Sequence, residues 1–179
     1  DSRLFGQLSQ TEQVALQQIH THYFYERHNE FWKQSATTRL EGTLKACQML
    51  VCGEDLGMIP ASVPEVMQKL QILSLEIQRM PKDIHQKYGN TWQYPYLSVC
   101  TTSTHDISSL RGWWEENRDE SAYYFHHVLH RQGEAPQQLT EELAKAIIGL
   151  HLQSPAMWCI IPLQDIAAMD NSIPKLSPA

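Results

Sequence analysis

Four short apolar segments constrain the fold of this chain more than any other feature of its sequence. They occupy residues 46–52, 72–77, 95–101 and 156–162, and each ends at glycine, proline or polar residues. Short apolar runs bounded by turn residues are typical of strands buried on both faces of a sheet. Helical patterns separate the segments, and strands alternating with helices favour a parallel sheet with helical crossovers. We therefore predict an α/β fold.

The helical patterns come from apolar residues spaced three and four positions apart. Helices are predicted at 11–34, 36–46, 65–70, 108–117, 120–130 and 140–150. Ser9 and Thr11 can each cap the first helix, and Ser9 with Glu12 forms a plausible capping box. In the last helix, Leu143, Ile147 and Leu150 form a regular apolar stripe. The helix boundaries therefore have local signals of their own.

Four parallel strands by themselves would leave two open edges of buried-type sequence. The chain has 179 residues, of which 42% are hydrophobic, so it can bury a sizeable core. Open edges invite pairing with other strands. We therefore expect further strands to complete this sheet, and the end of the chain, 173–179, to be an exposed terminus or a cut inside a loop.

Charge and cysteine usage exclude several classes of function. The net charge is −6, with 20 acidic against 14 basic residues, which disfavours nucleic-acid and anionic-membrane partners. The amino terminus is polar, and we find no apolar stretch near the ~20 residues that span a bilayer. The cysteines lie in separate segments, without a Cys-x-x-Cys pair; they are Cys47, Cys52, Cys100 and Cys159. We expect buried free thiols in a reducing, cytoplasmic location.

Polar residues follow the first and third predicted strands. Glu54 and Asp55 come after one, and His105 and Asp106 come after the other. The carboxyl ends of parallel strands converge on one rim, so these groups are candidates for a shared site. A pair of carboxylates suits glycosidic chemistry, in which one protonates the leaving oxygen and another stabilises the positive sugar ring. The alternative is that each cluster only caps the helix that follows it.

Other candidate sites have simpler explanations. His126, His127 and His130 have the spacing of a metal-binding helix face, but no acidic or cysteine ligand lies near them in sequence, and a solvated helix explains them better. No glycine-rich phosphate loop and no Gly-x-Ser-x-Gly motif is present, so we predict no metal and no cofactor. Several aromatic residues can either stack on sugars or pack in a core. They are Trp92, Tyr94, Tyr96, Trp113 and Trp114.

Three short motifs resemble those of a known family, both in their residues and in their order along the chain. Residues 52–57 read Cys-Gly-Glu-Asp-Leu-Gly, residues 104–106 read Thr-His-Asp, and residues 161–165 read Ile-Pro-Leu-Gln-Asp. They resemble successive carboxyl-half motifs of the 4-alpha-glucanotransferases, the amylomaltase or disproportionating-enzyme family (glycoside hydrolase family 77). The segments between them are most similar to the plant-cytosolic type. The resemblance covers essentially the whole chain.

The resemblance implies a (β/α)8 TIM barrel, of which this chain holds roughly strands five to eight with their helices. It implies that Glu54 is the general acid/base, that Asp106 stabilises the transition state, and that His105 and Asp55 bind substrate. The family's nucleophilic aspartate lies in an Arg-x-Asp motif that is absent here. Residues 1–179 are therefore expected to be the carboxyl-terminal part of a catalytic barrel, without its amino-terminal half and last segment.

The resemblance also implies an activity. Such an enzyme transfers α-1,4-linked glucosyl or glucan units from maltose or malto-oligosaccharides to glucan acceptors by a retaining double displacement, and releases glucose. The part alone is expected to be inactive, and its expected partners are the sugars and the missing half of its own barrel. Two alternatives stay open: a non-catalytic carbohydrate-binding module that uses the aromatic residues, and a metal-binding or regulatory protein that uses the helical histidines.

Overall fold

A computed structural model describes residues 3–57 and 59–170 of the chain. The chain divides into two compact units, Asp1–Ile72 and Leu73–Ala179. The terminal segment 173–179 lies outside the described residues. Within the described residues, no helix combines the length and the apolar character that crossing a bilayer requires.

The first unit begins with a long helical run. Helix α1 (Gln10–Thr21) continues through a π-helical turn (His22–Arg27) into helix α2 (His28–Ala46). The capping box is confirmed, because the Glu12 amide donates to Ser9 Oγ at 3.4 Å and the Ser9 amide donates to the Glu12 carboxylate at 2.8 Å. The division into helices 11–34 and 36–46 is wrong. No proline or glycine lies between residues 28 and 41 to interrupt the helical hydrogen bonds.

Helix α3 (Val63–Leu70) packs on α2 and completes the first unit. Lys33 Nζ donates to the Glu65 carboxylate at 2.6 Å, and Ser62 Oγ donates to the Asn29 carbonyl at 3.2 Å. The small apolar core beneath these contacts centres on buried residues of α3 and the segment after it. They are Val63, Met67 and Ile72, with Trp32, Leu40 and Leu44 of α2 against them.

The first predicted strand, 46–52, is wrong. Ala46 is the last residue of α2, and residues 47–51 have no regular structure. Met49 is 75% exposed and Leu50 is 55% exposed, so the segment is not buried on both faces. The hydrogen bonds of α2 continue up to Ala46, and the few residues left can form a strand only where a neighbouring strand accepts their backbone groups. Apolar composition alone does not supply that neighbour.

The second unit contains a parallel sheet of three strands. These are β1 (Ser74–Ile77), β2 (Ser98–Thr101) and β3 (Trp158–Ile160), arranged in the order β1-β2-β3. Cys100 of the central strand lies opposite Glu76 on one side and Cys159 on the other. Three of the four predicted strands are thus confirmed, and each is shorter than predicted. Because 46–52 is not a strand, the predicted sheet of four strands is wrong for the described residues.

The helices of the second unit are α4 (Leu110–Glu116), α5 (Arg118–His127), α6 (Glu141–Leu152) and α7 (Leu163–Ala167). The first three confirm the predictions at 108–117, 120–130 and 140–150. Each begins at a side-chain cap that accepts backbone N–H groups, namely Ser109, Asn117 and Thr140. The five-residue α7 was not predicted, since it is too short to show a helical period.

The histidine face considered for metal binding is not formed. His126 and His127 are exposed on α5, whereas His130 lies beyond the end of the helix with φ of 52°. Among the described residues there is no group of three or more His, Cys, Asp or Glu side chains that could hold a metal ion. The solvated-surface interpretation of these histidines therefore fits the structure.

A core of large aromatic and aliphatic side chains lies between α4, α5 and α6. Trp114 and Tyr124 are fully buried, and Leu143 and Ile147 of α6 pack in the same cluster. Buried polar atoms of the rings are satisfied, because Trp114 Nε1 donates to the Pro136 carbonyl at 3.0 Å. Tyr124 donates its hydroxyl to Gln78 Oε1 at 2.5 Å. Trp114 is thus a core residue, which was the simpler of the two interpretations.

All four cysteines are free thiols, as predicted. Their burial differs from the prediction, since Cys100 is buried whereas Cys52 is exposed. Cys52 is exposed although it forms an isolated β-bridge. Cys159, opposite Cys100 on the neighbouring strand, lowers the pKa of the Cys100 thiol, and the Ser154 hydroxyl at 3.4 Å acts in the same direction, whereas burial raises it.

Two leucines of α6 offer a matched test of this core. Leu143 is 4% exposed in the cluster and Leu152 is 62% exposed on the same helix. We expect Leu143→Ala to lower the free energy of unfolding by about 2–5 kcal/mol, because it leaves a cavity. We expect Leu152→Ala to change it by less than about 0.5 kcal/mol. Urea unfolding followed by tryptophan fluorescence measures both, and equal losses would contradict this packing.

Candidate active site

The loop that follows β2 carries the predicted pair His105 and Asp106. The strand ends at Thr101, so the loop begins at the carboxyl edge of the parallel sheet. The side chains of His105 and Asp106 are 90% and 70% exposed, and His105 Nε2 lies 3.3 Å from Asp106 Oδ2. The Asp106 amide donates to Thr104 Oγ1 at 3.2 Å. An imidazole and a carboxylate are therefore presented together to solvent, where a ligand can reach them.

The capping alternative for this pair is wrong. Helix α4 is capped by Ser109, whose hydroxyl accepts from the Gly112 amide at 3.3 Å. The amide of Leu110, the first residue of α4, donates to Asp165 Oδ1 at 2.7 Å. Helix capping is thus performed by other residues and does not account for the carboxylate of Asp106.

Asp165, which follows β3, is fully buried at the base of the same loop. Its Oδ2 accepts hydrogen bonds from Thr102 Oγ1 and Ser103 Oγ, both at 2.6 Å. Together with the Leu110 amide, three donors therefore surround this carboxylate. Such a set of donors is what a buried carboxylate requires, because burial without hydrogen bonds is costly.

Arg79, two residues beyond β1, approaches the loop from the other side. Its Nη2 donates to the carbonyl oxygens of Thr102 and Ser108, both at 2.8 Å. The guanidinium carbon lies 5.1 Å from the centre of the Trp113 ring. Burial lowers the pKa of Arg79, whereas the negative charge of Asp165 acts in the opposite direction. Residues after all three strands thus meet around one loop.

Glu54 lies in the first unit, in an irregular loop between two glycines. Glu54 is exposed and its neighbour Asp55 is 3% exposed. A Cβ on Gly53 would lie 3.1 Å from Met67 Cε, so the backbone passes close to α3 there. Gly57 has φ of +74°, a conformation that favours glycine. In the motif Cys-Gly-Glu-Asp-Leu-Gly, the first glycine allows a close approach to α3 and the second allows a positive φ. The exposed carboxylate of Glu54 lies between them.

Capping of the next helix by Glu54 or Asp55, the alternative to a catalytic role, stays a prediction. Helix α3 begins after Ser62 and has no side-chain hydrogen bond at its cap. Glu54 belongs to the first unit and the pair His105 and Asp106 to the second. The structure gives the exposure of each carboxylate, and their action in one site stays a prediction.

The aromatic residues proposed for sugar stacking divide into two groups. Trp92 and Tyr96 are 60% and 67% exposed, whereas Tyr94 is 7% exposed and Trp114 is buried. The exposed two precede β2, and His105 follows it. A four-residue strand is about 13 Å long, so β2 separates Tyr96, two residues before it, from the loop that carries His105.

Sequence reasoning missed Arg79 and Asp165 as parts of this site. Each is a charged residue that directly follows a predicted apolar strand, which is the same signal that identified Glu54 and Asp106. Arg79 follows β1 and Asp165 follows β3, the two strands on either side of β2. Opposite charges in these positions indicate that both side chains can contact the segment after β2. Neither residue has a charged neighbour in sequence, so each is less conspicuous than the pairs Glu54–Asp55 and His105–Asp106.

Comparisons with known proteins agree on one family. The family model described as 4-alpha-glucanotransferase, in glycoside hydrolase family 77, matches residues 5–175. The chain is 39% identical over 171 residues to the rice 4-alpha-glucanotransferase DPE2, which covers 96% of this chain and 18% of the rice protein. It is 39% identical over 90 residues to a 4-alpha-glucanotransferase of Chlamydia muridarum, which covers 49% of this chain and 17% of that protein.

Solved structures show the same likeness in fold. An amylomaltase from Streptococcus agalactiae, solved in complex with acarbose, superposes with a TM-score of 0.51 at 15% identity over 75% of this chain and 26% of that one. An amylomaltase from Corynebacterium glutamicum gives a TM-score of 0.51 at 18% identity over 64% of this chain and 21% of that one. The chain thus spans less than a fifth of the length of the two curated relatives above. From the family match and the rice relative, the chain belongs to the 4-alpha-glucanotransferases of glycoside hydrolase family 77, as its motifs predicted.

Proposed function

We propose that the longer protein to which this chain belongs transfers α-1,4-linked glucosyl or glucan units from maltose or malto-oligosaccharides to glucan acceptors. The observation that carries the proposal is the exposed His105 and Asp106 pair, directly after a strand of a parallel sheet, in a chain of this family. Catalytic groups of α/β barrels occupy that position. The names of the relatives in rice and Chlamydia support the same activity.

The proposed domain is a (β/α)8 barrel, and residues 1–179 form its carboxyl-terminal part. In this proposal β1, β2 and β3 are the sixth, seventh and eighth strands. Trp158 and Ile160 of β3 are 55% and 58% exposed, as expected of strand residues that the rest of a barrel would cover. The other strands, and the family's nucleophilic aspartate, would come from residues elsewhere in the longer protein.

Each candidate residue has a proposed role in a retaining double displacement. Glu54 protonates the leaving oxygen, and Asp106 stabilises the positive charge that develops on the sugar ring. His105 donates a hydrogen bond to a hydroxyl of the same sugar. Asp55 also binds substrate in this proposal. It is 3% exposed in the described conformation, so that contact requires the loop 53–57 to move.

The second half of the reaction distinguishes transfer from hydrolysis. After the leaving sugar departs, the glycosyl unit is held as an ester on the nucleophile, and Glu54 deprotonates a hydroxyl of the acceptor sugar. That oxygen attacks the anomeric carbon, a new α-1,4 bond forms, and the bond to the nucleophile breaks and releases its carboxylate. Transfer prevails when the acceptor subsites hold sugar and exclude water. With maltose as donor the leaving group is glucose.

The proposed setting of this activity is the cytoplasm. The four cysteines are not joined by disulfide bonds, which is typical of proteins kept in a reducing compartment. The net charge of −6 supports neutral sugars as partners rather than nucleic acid or anionic membranes. The chemistry assigned to Glu54 and Asp106 needs no cofactor.

Replacing the proposed acid tests its role. In the longer protein, we expect Glu54→Gln to retain glucan binding and to lower turnover by at least about 10²–10⁴-fold, because the amide cannot donate or accept the catalytic proton. Glucose released from maltose plus glycogen measures turnover. Glu30→Gln, at an exposed carboxylate on α2, is the matched control and should leave turnover unchanged. Near-normal glucose release by Glu54→Gln would contradict the assignment.

The residues 1–179 tested alone provide a second check. We expect no transferase activity from the purified polypeptide, because retaining chemistry without its nucleophile has no covalent step. The longer protein, assayed with the same maltose and glycogen, is the positive control. Glucose release by residues 1–179 that disappears in Glu54→Gln would show that the domain proposal is wrong.

A further inference from the structure

The loop that carries Asp106 is exposed at its tip, yet both of its ends are held by buried charges. The tip contacts are local, between His105, Asp106 and Thr104. The ends, at Thr102–Ser103 and Ser108–Leu110, contact side chains that come from beyond the two outer strands of the sheet. A transition-state-stabilising carboxylate must be fixed within a fraction of an ångström, so what holds this loop matters for rate.

We infer that Arg79 and Asp165 are positioning residues that clamp the loop 102–110 from opposite sides and so hold Asp106 in place for glucan transfer. This inference rests on the role proposed above for Asp106. Neither residue needs to touch substrate, and buried Asp165 could not do so without leaving its partners. They affect the rate of the reaction by holding the loop that carries Asp106.

Asp165 holds the loop by its first two residues and by the helix that follows. Thr102 Oγ1, Ser103 Oγ and the Leu110 amide all donate to its carboxylate, at 2.6, 2.6 and 2.7 Å. Because Asp165 is fully buried, a shift of the loop would leave a desolvated charge with unmade hydrogen bonds. The loop therefore has one strongly preferred position relative to β3 and α7.

The Arg79 side chain holds the loop by hydrogen bonds to the backbone of the loop. A single nitrogen, Nη2, donates to the carbonyl oxygens of Thr102 and Ser108, which are the two ends of the exposed segment. The guanidinium lies on the Trp113 ring, which restricts its side chain. Arg79 and Asp165 both contact Thr102, Arg79 through the carbonyl oxygen and Asp165 through the hydroxyl, and their opposite charges attract. The attraction between these charges therefore stabilises the same position of the loop ends.

The test uses Arg79→Met in the longer protein, with Arg111→Met as the matched control. Arg111 Nη2 also donates to two backbone carbonyls, of Ala168 and Asp170, which lie after the helical residues of α7 and outside the loop 102–110. A displacement of about 1 Å costs roughly 10²-fold in rate. We expect Arg79→Met to lower kcat by about 10- to 100-fold with a much smaller change in KM, and Arg79→Lys, which keeps charge and donors, to recover part of the loss. Arg111→Met should leave kcat near the wild-type value.

Hydrogen exchange provides a readout that does not depend on activity. In Arg79→Met we expect faster amide exchange across residues 103–110, while the amides of α6 keep their wild-type rates. In Arg111→Met, amide exchange across 103–110 should keep its wild-type rate. Unchanged exchange across 103–110 in Arg79→Met, or equal loss of kcat in both variants, would overturn the inference.

Asp165 allows a second pair of variants if Arg79→Met fails to fold. In Asp165→Asn the side-chain oxygen can still accept from the Leu110 amide, and the NH2 group can donate to the Thr102 and Ser103 hydroxyls after these rotate. Asp165→Ala removes all three bonds. We expect the exchange rate across 103–110 and the loss of kcat to be greater in Asp165→Ala than in Asp165→Asn, and equal effects would overturn the inference.

The outcomes separate this inference from the proposed function. If Asp106→Asn in the longer protein leaves transferase activity unchanged, the role of Asp106 is wrong, whatever the exchange data show. If Asp106→Asn abolishes activity while Arg79→Met leaves both kcat and loop exchange unchanged, the clamp is wrong and the role of Asp106 stands.

Discussion

The buried carboxylate of Asp165 is the interaction on which the polar architecture of the second unit depends. Removing an ionised carboxylate from water costs several kcal/mol unless hydrogen bonds replace the lost hydration. Its three donors belong to the segment after β2 and to the start of α4. Satisfying this one charge therefore fixes the end of β2 and the beginning of α4 relative to α7. The exposed pair His105 and Asp106 is presented from that fixed base.

A second constraint operates around Glu54 and uses backbone shape instead of charge. Gly53 lets the chain pass close to Met67, and Gly57 adopts a backbone conformation that side chains disfavour. Between them Glu54 is exposed while Asp55 is buried. Both proposed catalytic carboxylates are thus exposed groups on loops whose ends are restricted by buried neighbours. Restriction of this kind allows a group to face solvent without becoming mobile.

Local signals predicted local structure well in this chain. The caps Ser9, Ser109 and Thr140 lie at or within two residues of the predicted helix starts, because a cap depends on neighbours three residues away. The apolar run at 46–52 was misassigned, because a strand requires a partner that its own residues do not encode. Asp165 was part of a family motif, but its burial and its donors depend on residues more than fifty positions away.

The sequence by itself determined the family, the α/β class, the capping box of Ser9 with Glu12 and the choice of Glu54 and Asp106 as candidate catalytic carboxylates, since these depend on residue type and short spacing. Only the tertiary structure decided which apolar runs pair as strands and which carboxylate is exposed. Asp106 and Asp165 each follow a strand of the same sheet, and one faces solvent while the other is buried. Asp165 is buried because segments distant in sequence pack around it and supply its hydrogen-bond donors, whereas Asp106 lies at the exposed tip of a loop.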